Sequence, residues 1–94
     1  FLLKQNMTAI VKIKIMPSSP ETNLEEIKEK TKKLIESEDG KGVKFEEEPI
    51  AFGLKAVIVF FLWDEGKELE PLENSLEKIE NVNSVEMIDM RKAI

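Results

Sequence analysis

A run of eight apolar residues, Ala56 to Trp63, constrains the fold of this 94-residue chain more than any other feature. The run is too short to cross a bilayer, because a membrane-spanning helix needs about 20 such residues. Read as an extended strand that begins at Leu54, it is apolar on both faces. Such strands are typical of the centre of a sheet. We therefore expect a β-sheet with Leu54–Trp63 as an inner strand.

The segments on either side of this strand alternate between strand and helix patterns. The first segment places apolar and lysine side chains on opposite faces, as in a half-buried strand. Asn23 has the chemistry of a helix N-cap, and Pro71 suits the first turn of a helix. The remaining predicted elements, in chain order, are a strand over Thr8–Met16, a helix after Asn23, an edge strand over Val43–Glu48, a helix over about Leu69–Ile79 and a strand over Val82–Met90.

The resulting order, βαββαβ, predicts an α+β fold of the ferredoxin-like type. In this fold a four-stranded antiparallel sheet carries two helices on one face. The lysines of the first helix, among them Lys28, Lys30 and Lys33, lie near several glutamates. We interpret them as a solvated helix face rather than a basic patch.

Composition weighs against most catalytic chemistry. The chain has no cysteine and no histidine, which removes thiolate nucleophiles, the commonest general base and the usual zinc ligands. No calcium-binding loop of the EF-hand kind occurs. We therefore expect neither a metal site nor a cofactor. The net charge of −5 argues against direct contact with nucleic acid and favours a basic protein partner.

Other functions of this fold class fit the chain poorly. An RNA-binding domain of the RRM type needs glycines and exposed aromatic residues on its third strand. Here we take Val57, Val59, Phe61 and Trp63 as the exposed face and expect protein to cover it. An acylphosphatase would need an arginine in the loop after the first strand, and that loop has none. A regulatory domain of the ACT type, which binds small molecules, stays open as an alternative.

Phe52 lies between Pro49 and Gly53, in a segment that has the composition of a turn. A large apolar residue in a surface turn has two interpretations. In one, Phe52 folds back and caps the core. In the other, it is an anchor for a protein partner, since aromatic residues supply much of the binding energy of interfaces.

Three segments of the chain together resemble a known family. These are Glu48-Pro49-Ile50-Ala51-Phe52-Gly53-Leu54-Lys55-Ala56, the first-strand run Val11–Pro17, and Val85–Lys92. They are similar to archaeal elongation factor 1-beta and to the exchange domain of the eukaryotic 1-beta and delta subunits. The resemblance covers Met7 to Ile94.

This resemblance implies guanine-nucleotide exchange on the GTPase elongation factor 1-alpha, without covalent chemistry. It implies that Phe52 contacts the GTPase, together with its neighbours Pro49, Ile50, Ala51 and Gly53. It also implies that a lysine near the C-terminus, Lys92, acts close to the magnesium site of the GTPase. Arg91 is the neighbouring cation, and the resemblance leaves open which of the two has this role.

The resemblance further implies a cytoplasmic protein of archaeal type that does not associate with membranes. We expect residues 1–6 to be a leader, from a mis-assigned start or added residues, and residues 7–94 to form the exchange domain. The sequence leaves the oligomeric state open. The alternative function is a non-catalytic ferredoxin-like module that binds a small molecule or mediates oligomerisation.

Overall fold

The computed structural model describes residues 8–93 and has the predicted element order. All three strand pairings are antiparallel, and the strands lie in the order β2-β3-β1-β4. The ferredoxin-like prediction is confirmed. The elements are β1 (Thr8–Pro17), α1 (Leu24–Ser37), β2 (Lys41–Pro49), a short 3₁₀ turn (Ala51–Gly53), β3 (Lys55–Asp64), α2 (Glu70–Glu77) and β4 (Val82–Ala93).

Neither helix in the described part of the chain has the length and apolarity to cross a lipid bilayer. The predicted leader, residues 1–6, lies outside the described residues, as do Met7 and Ile94.

The core lies between the two helices and one face of the sheet. Pairing sets that face, because residues opposite one another in neighbouring antiparallel strands point the same way. Ala9 is opposite Trp63, and Ile13 is opposite Val59. The helices complete the core with Ile27, Ile35, Leu72, Leu76 and Ile79.

The prediction about the exposed face of β3 is therefore wrong. Val57, Val59, Phe61 and Trp63 are all buried in the core and face the helices. The pairing with β1 decides this, since the apolar face of β1 must be buried together with the residues opposite it.

The outer face of β3 is covered around Ile58 and Phe60 by side chains of the neighbouring strands, whereas Leu62, opposite Ile10, stays 38% exposed. Ile58 lies between Lys14 of β1 and Glu46 of β2, and only 4% of it is exposed. The Lys12 Nζ atom lies 5.2 Å from the ring centroid of Phe60, within the range of a cation–π contact. Long charged side chains shield this face with their methylene groups while their charges stay in water.

Local signals determine both ends of α1. The Asn23 Oδ1 atom accepts hydrogen bonds from the backbone N–H groups of Glu25, at 3.0 Å, and Glu26, at 3.4 Å, as predicted for an N-cap. After the helix, Asp39 has a positive φ of 72°, and the N–H of Gly40 donates to the Ile35 carbonyl at 2.9 Å. A Cβ atom on Gly40 would lie 2.3 Å from the Ile35 side chain, so this turn requires glycine.

The predicted bounds of the other elements differ slightly from those observed. β2 begins at Lys41, earlier than predicted, and α2 is shorter than the predicted helix. The difference that matters for function is at β4, which continues past Met90 to Ala93.

Candidate functional site

The segment from Pro49 to Gly53 forms a tight turn between β2 and β3. The Ile50 N–H donates to the Leu54 carbonyl at 2.7 Å, and the Leu54 N–H donates to the Ala51 carbonyl at 3.3 Å. Within the turn, Phe52 has φ 63° and ψ 30°, and Gly53 follows with φ 78°. Both residues therefore have left-handed backbone conformations.

The position of Phe52 is unfavourable for an aromatic residue in two respects, the exposure of its side chain and the conformation of its backbone. Its side chain is 93% exposed, so it is not the cap of the core that one interpretation of the sequence described. The left-handed conformation costs a residue with a Cβ atom roughly 1–2 kcal/mol. The fold accounts for neither the exposed ring nor the conformation, and strained exposed residues occur mainly at functional sites.

The turn adjoins a rigid base formed by the β1–α1 loop. Gly53 faces Pro20, since a Cβ atom on Gly53 would lie 3.8 Å from the Pro20 Cβ. A small cleft of about 200 Å³ lies beside them and is lined also by Pro17 and Lys55. Proline rings limit the motion of this loop, so the turn that presents Phe52 has a stiff neighbour.

An ion pair joins β2 to α1 close to the turn. The Lys28 Nζ atom lies 2.8 Å from the Glu47 Oε2 atom and 3.2 Å from the Glu25 Oε2 atom. The hydrogen bond that Lys28 donates to Glu47 lowers the pKa of Glu47 and raises the pKa of Lys28. This contact links the strand that leads into the Phe52 turn to the first helix.

The predicted C-terminal cations lie at the other end of the sheet, near the end of β4. Arg91 is opposite Ile10 and Lys92 is opposite Ala9, so the two side chains lie on opposite faces. The Arg91 Nε atom is 2.8 Å from the Asp89 Oδ2 atom. Lys92 is exposed, and within residues 8–93 it has no ion-pair partner. Among the described residues, the two cations therefore differ in that Arg91 is ion-paired and Lys92 is not.

Phe52 and Lys92 do not form a single compact site. Lys92 is level with Ala9 of β1, whereas Val57, five residues after Phe52, is level with Ile15. The six residue steps from Ala9 to Ile15 span about 20 Å at about 3.3 Å per residue. A partner that contacts both residues must therefore extend along the length of the sheet.

Three features of these regions escaped the sequence analysis. The extension of β4 was missed because polar residues replace the apolar alternation after Met90. The Asp89–Arg91 pair could have been found, since residues two apart lie on the same face of a strand. The Lys28–Glu47 pair joins residues that are distant in sequence, and no local pattern indicates it. Among residues 8–93, no group of acidic side chains is arranged to hold a metal ion.

Comparison with known proteins gives a consistent family assignment. The sequence pattern of the EF-1 guanine nucleotide exchange domain matches residues 10–93. Elongation factor 1-beta of Methanocaldococcus jannaschii is 42% identical over 87 residues, which is 92% of this chain and 98% of that protein. Elongation factor 1-beta of Methanosarcina acetivorans is 46% identical over 79 residues, 83% of this chain and 89% of that protein.

A solved structure with a different sequence shares the fold. The C-terminal domain of the MgtC protein from Mycobacterium tuberculosis superposes with a TM-score of 0.67 at 11% identity, covering 98% of this chain and 94% of that one. At this identity the likeness concerns the fold alone.

Proposed function

Because the chain belongs to the EF-1 guanine nucleotide exchange family, which has a nucleotide-exchange role in translation elongation, we propose that its target is the GTPase elongation factor 1-alpha. In this proposal the protein accelerates the release of GDP so that GTP can bind. It makes and breaks no covalent bond.

The observation that carries the proposal is the position of Phe52. The ring is 93% exposed on a strained turn, so its retention there needs an explanation outside the fold. Exposed aromatic rings of this kind are typical anchors of protein interfaces. We assign Phe52 the docking contact, with Pro49, Ile50, Ala51 and Gly53 as the backbone that presents it.

Lys92 supplies the cation that acts at the nucleotide site of the partner. A GTPase holds its nucleotide in part through a Mg²⁺ ion that bridges phosphate and protein oxygens. An ammonium group is a compact, mobile cation and can compete with the metal for the same acidic ligands. Arg91 is ion-paired with Asp89 and Lys92 has no such partner within residues 8–93, so Lys92 is the better candidate for this step.

The separation of the two residues favours a contact at two points. Phe52 at one end of the sheet holds the partner, and Lys92 at the other end reaches its metal site. Exchange then follows from linkage: a factor that binds the nucleotide-free GTPase more tightly than the loaded form weakens nucleotide binding by the same ratio.

The test is the release of a fluorescent GDP analogue from an archaeal elongation factor 1-alpha at increasing concentrations of this protein. We expect Phe52→Ala to raise the half-saturating concentration about thirtyfold, since an aromatic anchor contributes about 2 kcal/mol. We expect Lys92→Ala to keep its binding but to lower the maximal release rate about tenfold or more, because hydrogen bonds to charged groups contribute about 1.5–3 kcal/mol.

Two variants serve as matched controls. Arg91→Ala removes the neighbouring, already paired cation, and Lys44→Ala removes an exposed lysine from the opposite edge strand. Both should leave the maximal rate nearly unchanged. If the unmodified protein does not accelerate release at saturation, the proposed target is wrong; if Arg91→Ala abolishes the acceleration and Lys92→Ala does not, the assignment of the cation is wrong.

A further inference from the structure

A groove between the two helices combines an apolar floor with a rim of lysines. Its volume is about 350 Å³, at the small end of ligand pockets. Leu34 and Ile79 form the floor, and both are largely buried. The other lining residues are Lys30, Lys33, Ser75 and Lys78.

The lysines of this rim have no acidic partners in the described part of the chain. Within residues 8–93 the ion-paired lysines are Lys28 and Lys67, so Lys30, Lys33 and Lys78 stay unpaired. Ten of the twelve lysines within residues 8–93 are unpaired, so the rim is distinguished by the clustering of three of them around one apolar groove.

None of the acidic residues of α1 lines this groove. Glu25, Glu26 and Glu29 line a different groove, together with Lys28, Lys32 and Phe45 of β2. Glu26 and Glu29 precede Lys30 and Lys33 by four residues, so they lie beside these lysines on the helix surface but do not pair with them. The charged residues that line the groove between the helices are all lysines, although the molecule as a whole is acidic.

The chemistry of the groove limits what it can bind. Lysine side chains can lay their methylene groups along an apolar surface and keep their ammonium groups at the rim. A ligand makes favourable contacts with both the apolar floor and the ammonium groups of the rim only if it has an apolar group with negative charges around it. Nucleic acid fits less well, since it requires a continuous basic track and stacking aromatic residues, and the rim has three lysines and no aromatic residue.

We propose that this groove is a docking site for an acidic peptide segment that inserts a leucine or phenylalanine side chain between the helices. Charge complementarity identifies the partner: carboxylates of the segment pair with Lys30, Lys33 and Lys78, while its apolar side chain contacts Leu34 and Ile79. The site involves neither Phe52 nor Lys92 and does not depend on the exchange activity.

The probe is a short fluorescein-labelled peptide with a central Leu-Phe pair flanked on both sides by aspartate and glutamate, titrated with the full chain and followed by anisotropy. We expect saturable binding below about 1 mM that weakens as salt increases. Replacing the Leu-Phe pair by serines should weaken binding about tenfold or more, since each buried apolar side chain contributes about 1.5–3 kcal/mol. Chemical shifts of the backbone amides of Leu34, Ser75 and Ile79 should change on binding.

A matched pair of charge reversals on one helix tests the location. Lys33→Glu alters the rim of the groove, whereas Lys32→Glu alters an exposed lysine of the same helix that lines the other groove. We expect Lys30→Glu combined with Lys33→Glu to weaken binding about tenfold, and Lys33→Glu alone to have several times the effect of Lys32→Glu. Circular dichroism would verify that all variants are folded.

Three results would overturn the proposal. One is the absence of binding up to about 1 mM, the weak limit of a specific contact. Another is equal weakening by Lys32→Glu and Lys33→Glu, since the peptide would then respond only to overall charge. The third is preferential binding of a single-stranded uridine oligomer with the same lysine dependence, because the groove would then be a nucleic-acid site.

Discussion

One aromatic residue lies within strand β3 near its end, and another lies in the turn just before the strand begins. The surroundings of these two residues are opposite. Trp63, near the end of the strand, is 1% exposed, and its Nε1–H donates to the Lys67 carbonyl at 3.0 Å. Phe61 packs edge-on against its ring with centroids 5.7 Å apart, and the Lys67 Nζ lies 5.1 Å from the ring centroid. Phe52, just before the strand begins, has a ring that is 93% exposed.

This difference separates a residue that stabilises the fold, Trp63, from one that we propose contacts a partner, Phe52. Lys67 also links the region around Trp63 to helix α1. Its ammonium group donates to the Glu38 carbonyl at the end of α1 and lies 3.6 Å from the Glu38 Oε1 atom. These contacts join β3, the following loop and the end of α1. At the Phe52 end, the turn closes through backbone hydrogen bonds, and the aromatic ring lies outside the fold.

The largest expected effect is the contrast in stability between truncating these two aromatic residues. Trp63→Ala should lower the free energy of unfolding by about 3–5 kcal/mol, because it leaves a cavity in the core. Phe52→Ala should change it by less than about 0.5 kcal/mol, as is usual for exposed residues. Denaturant unfolding followed by circular dichroism would measure both. A loss above about 2 kcal/mol for Phe52→Ala would contradict this division of roles.

A smaller effect is expected from relieving the strain at Phe52. Phe52→Gly should be more stable than Phe52→Ala by about 1 kcal/mol, since glycine adopts the left-handed conformation without steric cost. Both variants lack the ring, so both should lose the docking contact in the GDP-release assay.

The control for this prediction is Ala51→Gly, in the same turn. Ala51 is outside the set of residues with positive φ, so glycine there should cost about 0.4–1 kcal/mol through the entropy of the unfolded chain. If glycine destabilises position 52 to the same degree as position 51, the turn stores no strain at Phe52. The unfolding midpoints of Phe52→Gly, Ala51→Gly and the unmodified protein, measured side by side, show whether the turn is strained at Phe52.

The smallest effect concerns the ion pair beside the Phe52 turn. The hydrogen bond from Lys28 lowers the pKa of Glu47 below its ordinary 4.5, so its stabilising contribution is present above pH 4.5 and is lost as the pH falls through the lowered value. The pKa of Lys28 is raised above 10.5, so its contribution is present below that pH and is lost as the pH rises through the raised value. Because both groups are partly exposed, we expect at most about 1 kcal/mol.

Unfolding midpoints of the unmodified protein and Glu47→Gln, measured at about pH 7 and about pH 3, test this contribution. The variant should be less stable at neutral pH, and this difference should shrink as the pH falls toward the lowered pKa of Glu47. Glu46→Gln is the matched control, since Glu46 lies on the opposite face of β2 and has no ion-pair partner within residues 8–93. A similar loss of stability in Glu46→Gln at neutral pH would show that general charge, rather than the pair, is responsible.

Much of the fold was predictable from local chemistry. The alternation of β1, the N-cap at Asn23 and the Pro71 first turn are signals carried by neighbouring residues, and each is confirmed. The apolar run in β3 correctly indicated an inner strand, since β3 lies between β2 and β1. The resemblance of three short segments correctly indicated the family.

The errors have a common origin in long-range pairing. The sequence of β3 is apolar on both faces, so its local pattern contains no information about which face is buried. Pairing with β1 decided that Phe61 and Trp63 face the helices. The groove between the helices was missed for the same reason, since Lys33 and Lys78 belong to different helices that meet only in the folded chain.

The sequence by itself determined the order of strands and helices, the inner position of β3 and the family, because these depend on neighbouring residues and on segments read along the chain. Only the tertiary structure decided which face of β3 is buried, that Phe52 is exposed, that Arg91 is paired while Lys92 has no ion-pair partner in the described part of the chain, and that Phe52 and Lys92 lie at opposite ends of the sheet. The physical reason is that burial and charge pairing depend on residues distant in sequence. Only strand register and helix packing bring those residues together.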